Sequence, residues 1–424
     1  MKKRLIVAAA AALLPIATTV ALADDAAPAA APAAPANWSD TLKFGVQLDG
    51  GIAVNPASPK NNLNYGQLYT DQSNMPTLNQ ALVSIGRPVD PKATDYDFGF
   101  KLQGMWGTDA RYTHFARLWD KYTTGPYQFD INEASVTAHT PWFTEGGVDL
   151  QAGLWPTLLG FETIDPSTNP FYTHSYIFNF GLPVKEAGGN AIFHATGNVD
   201  IYLGLTAGNQ TIPGMDNNSS ASILGGVKLT LLDGNFSVLA LTHYGPEDAS
   251  RAIKPLNAAD YNRAYNDVII TYKATDALTL TTELNYVRED LGAVQGSRIA
   301  NAEAYGIAQY GAYTLTDTLT LNARAEAFVD TRSYFVAGYT TPQGPVRALE
   351  GYSYPAVTGT GRNTYGALTL GVTYKPALPD WAGSVALLVR PEARVDSVLD
   401  GNARFNNGKD RTAGLLSLDF VLTY

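Results

Sequence analysis

From Thr41 to the C-terminus, apolar and polar residues alternate with a period of two, and the connectors between the alternating runs alternate between short and long. Leu42, Phe44, Val46 and Leu48 interleave with Lys43, Gly45, Gln47 and Asp49. Leu319, Leu321, Ala323 and Ala325 interleave with Thr320, Asn322, Arg324 and Glu326. A period of two puts one residue set on each face of a sheet and excludes amphipathic helices. The runs fall near 41–51, 76–88, 94–106, 127–140, 145–156, 187–196, 198–209 and 218–231, then near 235–246, 263–274, 278–290, 300–314, 318–331, 362–375, 383–397 and 411–424. The segments near 127–140 and 187–196 alternate poorly, which points to bulges.

Thr196-Gly197-Asn198, Asp233-Gly234-Asn235, Thr275-Asp276-Ala277 and Thr316-Asp317-Thr318 read as tight hairpin turns. Between them come long connectors near 52–75, 107–126, 157–186, 210–217, 247–262, 291–299, 332–361 and 398–410. A soluble sandwich has no reason to sort its connectors in this way. A transmembrane antiparallel β-barrel of about 16 strands does, with short turns at one rim and long loops at the other. Closure also removes the unpaired edges that lipid does not tolerate.

Composition narrows the class further. The chain of 424 residues contains no cysteine, which excludes disulfide frameworks, thiolate metal sites and Cys nucleophiles. Its formal net charge of −10 excludes a nucleic-acid binder, and only 16% of residues are charged. Met1-Lys2-Lys3-Arg4, the apolar stretch from Leu5 to Ile16 and the Ala21-Leu22-Ala23 end read as a signal peptide over 1–23. Residues 24–37 are an Ala/Pro-rich periplasmic spacer unable to bury a core, and 38–424 form the barrel. Export of an acidic, cysteine-free barrel points to a bacterial outer membrane, with its lipid as solvent.

On the last run Leu416, Leu418, Phe420, Leu422 and the terminal Tyr424 share one parity. Phe420, Leu422 and Tyr424 resemble the C-terminal signal that the barrel-assembly machinery recognises. Tyr244, Tyr272, Tyr286, Tyr310, Tyr374 and Trp106 lie near strand ends and suit interfacial aromatic girdles.

The opposite parity carries charge. Arg390, Glu392, Arg394 and Asp396 occupy every second position of one run. Four such charges would be expensive in a dry core without partners. They are expected on a lumen wall, with Arg324, Glu326 and Asp330 on another strand and with Lys43, Lys101, Lys228 and Glu283 as single charges. The third long loop, 157–186, contains Phe161, Pro170, Tyr172, His174, Tyr176, Phe178 and Phe180. So apolar a loop is expected to fold into the barrel as a constriction. Glu162, Asp165, Lys185 and Glu186 are the charges it can set against the arginine-bearing wall.

The hairpin count and inward third loop resemble general bacterial porins. Gly107-Thr108-Asp109-Ala110-Arg111, Gly153-Leu154-Trp155-Pro156-Thr157-Leu158-Leu159-Gly160-Phe161-Glu162, Asn169-Pro170-Phe171-Tyr172-Thr173-His174-Ser175-Tyr176 and Arg390-x-Glu392-x-Arg394-x-Asp396 are similar to the β-barrel porin family of proteobacterial outer membranes. The similarity covers about 41–424, and Gly160-Phe161-Glu162 departs from the family's Gly-Tyr-Glu. It implies a water-filled channel for passive diffusion of small hydrophilic solutes or ions, and porin architecture implies a homotrimer. No cofactor and no metal are expected.

Two other classes fit the sequence less well. The five histidines, His114, His139, His174, His194 and His243, stand in no HExxH pattern, and no GxSxG or phosphate loop occurs, which leaves little for a barrel enzyme. A secreted, soluble sugar-binding or adhesive β protein would not explain the connector asymmetry. The total charge leans toward cation preference, against the arginines on the wall.

Overall fold

The computed structural model describes residues 41–90, 93–118, 125–250, 257–290, 301–336 and 361–424. The leader and spacer expected over 1–23 and 24–37 lie outside the described residues. Sixteen antiparallel strands close into one barrel. In chain order the first eight are β1 (Lys43–Val54), β2 (Thr77–Arg87), β3 (Asp97–Gly107), β4 (Gln128–Thr140), β5 (Val148–Pro156), β6 (Lys185–Thr196), β7 (Val199–Asn209) and β8 (Ser222–Leu231). The rest are β9 (Phe236–Pro246), β10 (Asn262–Lys273), β11 (Leu278–Glu289), β12 (Ala302–Thr316), β13 (Leu319–Asp330), β14 (Asn363–Tyr374), β15 (Ala386–Asp400) and β16 (Thr412–Thr423). Each strand pairs with its sequence neighbour, and β1 closes on β16 from Gln47↔Thr423 to Val54↔Leu416.

The pleat sorts side chains as the alternation requires. Phe44, Val46, Leu48, Phe98, Leu102, Trp106, Leu203, Leu205, Leu368 and Leu370 face outward and are exposed, as are Phe420, Leu422 and Tyr424. The alternate residues face the interior, and most are polar and buried. An apolar belt around a polar interior is the pattern of a barrel solvated by lipid. Tyr244, Tyr374 and Trp106 stand on the outer face. Tyr310 does not: it is buried inside, its ring centroid 4.5 Å from that of Phe161. Its parity places it with Ala304, Gly306 and Ala308, the small residues of the inner face of β12.

Bulges occur where the alternation faltered. Asn132 is an extra residue in β4 opposite Gln103/Gly104, and the β6–β7 register shifts twice, at Glu186/Gly188 and His194/Thr196. A further bulge makes Asn79 the extra residue of β2. Near these shifts Gly153 takes φ +129, and a Cβ there would stand 2.2 Å from the Ala134 carbonyl oxygen, so only glycine fits. At one rim the turns include 197–198, 232–235, 274–277 and 317–318; at the other, long loops fold over and into the barrel.

Candidate functional site

The interior is organised by the third long loop, 157–184, which begins after Pro156 and ends at Lys185. Its own residues shape it first. Asp165 accepts a hydrogen bond from the Ser167 amide at 2.9 Å and caps a short turn over Pro166–Thr168. Asn169 accepts from the Thr163 amide and donates to the Thr163 carbonyl, tying the loop across itself. Ser175 caps the single helical turn α1 (Tyr176–Phe180), accepting from the Phe178 amide at 3.0 Å. Gly160 turns the chain at φ +98, where a Cβ would meet Leu182 at 2.4 Å.

The barrel wall then grips this loop by its backbone. Asp267 on β10 accepts from the Gly160 amide at 3.1 Å, and Glu283 on β11 accepts from the Phe161 amide at 3.0 Å. Arg324 on β13 donates to the Thr173 carbonyl at 2.8 Å and pairs with Glu162 at 2.5 Å. Glu326 accepts from the Tyr176 amide at 2.6 Å. On β15, Arg390 donates to the carbonyls of Pro166 and Asn169 at 2.7 and 2.6 Å, Glu392 accepts from the amides of Tyr172 and Thr173, and Arg394 donates to the His174 carbonyl at 3.2 Å. Gln47 and Gln80 complete the grip from β1 and β2, on Asp165 and on the Ile164 carbonyl.

The wall charges also satisfy one another. Arg390 pairs with Asp419, Arg394 with Glu326 at 2.8 Å and with Asp396 at 2.7 Å, and Arg324 with Glu326 at 3.2 Å. Arg324, Arg390 and Arg394 are each at most 1% exposed. Removing water from such charges costs several kcal/mol per ion, and only full pairing offsets it. Here each guanidinium has both an acid and a loop carbonyl. Glu162 shows the result: burial alone would raise its pKa, but Arg324 and His174 beside it bring it down to about 2.

Two further loops pack against the third. The helical turn Ala110–Thr113, lying between β3 and β4, carries Arg111, which pairs bidentately with Asp71 of the first loop at 2.9 and 2.7 Å. Burial works against the Arg111 charge, yet the Asp71 carboxylate lifts it further above its ordinary value. Asp109 accepts from Asn79 at 2.8 Å and Gln80 at 2.9 Å, and burial raises its pKa. Tyr69 of the first loop packs on Tyr112, His174 and Phe178 with ring centroids 5.1 to 5.3 Å away. Three loops therefore pack on one another in the long-loop half of the interior.

The expected site residues distribute as follows. Arg390, Glu392, Arg394, Asp396, Arg324, Glu326 and Glu283 all face inward and are brought together under the third loop. The ladder is thus covered by loop backbone, where a water-washed wall was expected. Asp330 instead caps the seventh loop, accepting from the amides of Tyr334, Phe335 and Val336. Glu162 and Asp165 lie in the third loop. Lys185 and Glu186 do not: they open β6, where Lys185 pairs with Asp130 at 2.5 Å and Glu186 stands 3.6 Å from His243. Ala187-Gly188-Gly189 hid that strand start by breaking the alternation. Lys43 and Lys101 are exposed, and Lys228 is half-buried on β8.

Sequence reasoning gave Glu133 and Asp149 no place and named His139 and His194 only among the histidines. Their inward parity on β4–β6 was the available signal. A cavity of about 490 Å³ lies along the interior of β1–β6 toward the short-turn rim, lined by Lys43, Ser84, Lys101, Glu133, Asp149 and Gln151. A smaller one of about 220 Å³ lies at the opposite mouth, beside Tyr65, Asp71, Tyr112 and Arg404.

Residues 41–424 match the family model described as "Putative beta-barrel porin-2, OmpL-like". Among solved structures, the chain is similar to the outer-membrane channel DcaP of Acinetobacter baumannii, at 14% identity and TM-score 0.53 over 90% of this chain and 96% of that one. It is also similar to an anion-selective porin from Comamonas acidovorans, at 9% identity and TM-score 0.55 over 91% and 99%. OprB of Pseudomonas putida gives 12% identity and TM-score 0.53 over 91% and 95%. At these identities the likeness is one of fold. No curated protein matches the chain.

Proposed function

This chain belongs to the OmpL-like porin-2 family of β-barrels and is an outer-membrane porin, a channel for passive diffusion; from that premise we propose that it passes small hydrophilic solutes through a lumen narrowed by its third loop. The observation that carries this reading is the grip of the wall on the loop backbone. Asp267, Glu283, Arg324, Glu326, Arg390, Glu392 and Arg394 bond to main-chain atoms from Gly160 to Tyr176. A loop fixed at so many points is a permanent constriction, and a size limit follows from it. Binding such solutes tightly would slow their exit, so a channel of this kind needs only weak contacts.

Around this core we place the finer features. Residues 1–23 are removed on export, 24–37 remain as a periplasmic spacer, and Phe420, Leu422 and Tyr424 present the outward C-terminal signal to the barrel-assembly machinery. The short turns face the periplasm, and the barrel assembles as a homotrimer in outer-membrane lipid. The family speaks for a channel rather than an enzyme.

Liposome swelling with graded sugars tests the reading. Vesicles carrying the refolded barrel should swell at rates that fall steeply from pentose to trisaccharide. A folded barrel that admits none of them, or all of them equally, would refute a loop-narrowed diffusion channel.

A further inference from the structure

The ladder of Arg390, Glu392, Arg394 and Asp396 has almost no access to water. Arg324 and Arg394, and the loop residues Thr173, Ser175 and Tyr176 that cover them, are at most 1% exposed. A solute cannot reach guanidiniums buried this deeply, whose donors face carboxylates, loop carbonyls and the hydroxyls of Thr173 and Thr369. The opposite wall differs. Toward the short-turn rim, the inner faces of β1–β6 border the 490 Å³ cavity, with Lys101, Glu133 and Asp149 in its lining. Lys101 pairs with Glu133 at 2.9 Å, but its side chain is 47% exposed.

Beside that pair runs a line of four groups. Asp149 meets His139 Nδ1 with one oxygen at 2.7 Å and His194 Nε2 with the other at 3.2 Å, and His194 Nδ1 meets Asp200 at 2.8 Å. A neutral imidazole donates through one nitrogen only, so two carboxylates on the two nitrogens of His194 are both satisfied only by the imidazolium. Asp200 also stands in register with Lys228 on β8. Acids and bases therefore interleave along a wall that water reaches, where the field of each acts on a passing ion.

We propose that selectivity among small ions is set on the β3–β7 wall, by Lys101 with Glu133 and by Asp149 and Asp200 around His194, while the arginine ladder acts only as the clamp of the third loop. This rests on the channel reading above. It makes Lys101 and Asp149 the residues that a permeating ion meets, with opposite preferences.

The absence of cysteine makes the test direct. Gln151→Cys lies between these groups, half-buried and bordering the cavity. Thr369→Cys lies beneath the third loop, fully buried 3.2 Å from Arg324. In bilayers, a charged methanethiosulfonate should alter the current through Gln151→Cys and leave Thr369→Cys unmodified. Under a salt gradient, Asp149→Asn should lower the cation-to-anion permeability ratio by about twofold, and Lys101→Gln should raise it by about as much. A conducting barrel in which Gln151→Cys is inert, or in which both substitutions leave the ratio unchanged, overturns the assignment and leaves the channel standing. A folded barrel with no current overturns the channel and the assignment together.

Discussion

Glu162 is the point at which loop and wall are most tightly joined, and Glu162→Gln tests the clamp. Four donors surround its carboxylate: Arg324 at 2.5 Å, His174 Nδ1 at 2.9 Å, the Ser175 amide at 3.0 Å and the Tyr310 hydroxyl at 3.1 Å. Glutamine keeps the shape but turns an NH₂ toward groups that themselves donate, and removes the charge facing Arg324. Lowering the Glu162 pKa to about 2 from an ordinary 4.5 corresponds to about 3 kcal/mol of preference for the charged form. Breaking a buried pair by removing one partner costs about 3–5 kcal/mol, which agrees. The barrel's inter-strand ladder is untouched, so the loss should appear as local release of the loop and not as global unfolding. Hydrogen exchange of peptides spanning 157–184 should therefore speed up by about 100-fold, while β11–β14 keep their protection. Loop protection within about threefold of the parent would refute the clamp.

The same carboxylate fixes an acid limit. Its folded pKa lies below the unfolded one, so its contribution is full above about pH 4.5 and is lost as pH falls toward 2; loop protection relative to the unstructured chain should fall within that window and hold steady at pH 5–7. Glu247, just beyond β9, works in the opposite sense. Burial pushes it up to about 7, so ionising it costs stability as pH rises from 4.5 through 7, and Glu247→Gln should stabilise the fourth and fifth loops at pH 8 but not at pH 4, read by thermal melts in detergent. In the β8–β9 turn, Leu232 is exposed and left-handed at φ 52, a conformation that costs a branched side chain about 1 kcal/mol. Leu232→Gly should raise the unfolding midpoint in urea, and a lowered midpoint would show that the side chain has a contact that matters.

The barrel was legible because lipid and sheet geometry write themselves into every second residue. The strands expected near 263–274 and 278–290 lie at Asn262–Lys273 and Leu278–Glu289, each shifted by one residue or less at its ends. The terminal run, with Phe420 and Leu422 outward, was equally plain. The interior was harder. Parity says that Arg390, Glu392 and Arg394 point inward, but their partners are carbonyls and amides of the third loop, and backbone groups leave no mark in a list of side chains. Tyr310 failed for a related reason. An aromatic near a strand end suits either face, and only the small residues flanking it on β12 show that room was left inside for Phe161 and Ile177. The start of β6 was missed because a glycine pair broke the period, which moved Lys185 and Glu186 from loop to strand.

The central claim is that this barrel conducts. Planar-bilayer recording of the refolded chain, with folding verified by heat-modifiable gel migration, tests it most directly. The expected result is stepwise current that scales with salt concentration and carries a measurable reversal potential under a gradient. A folded barrel that stays silent in every salt would contradict the account.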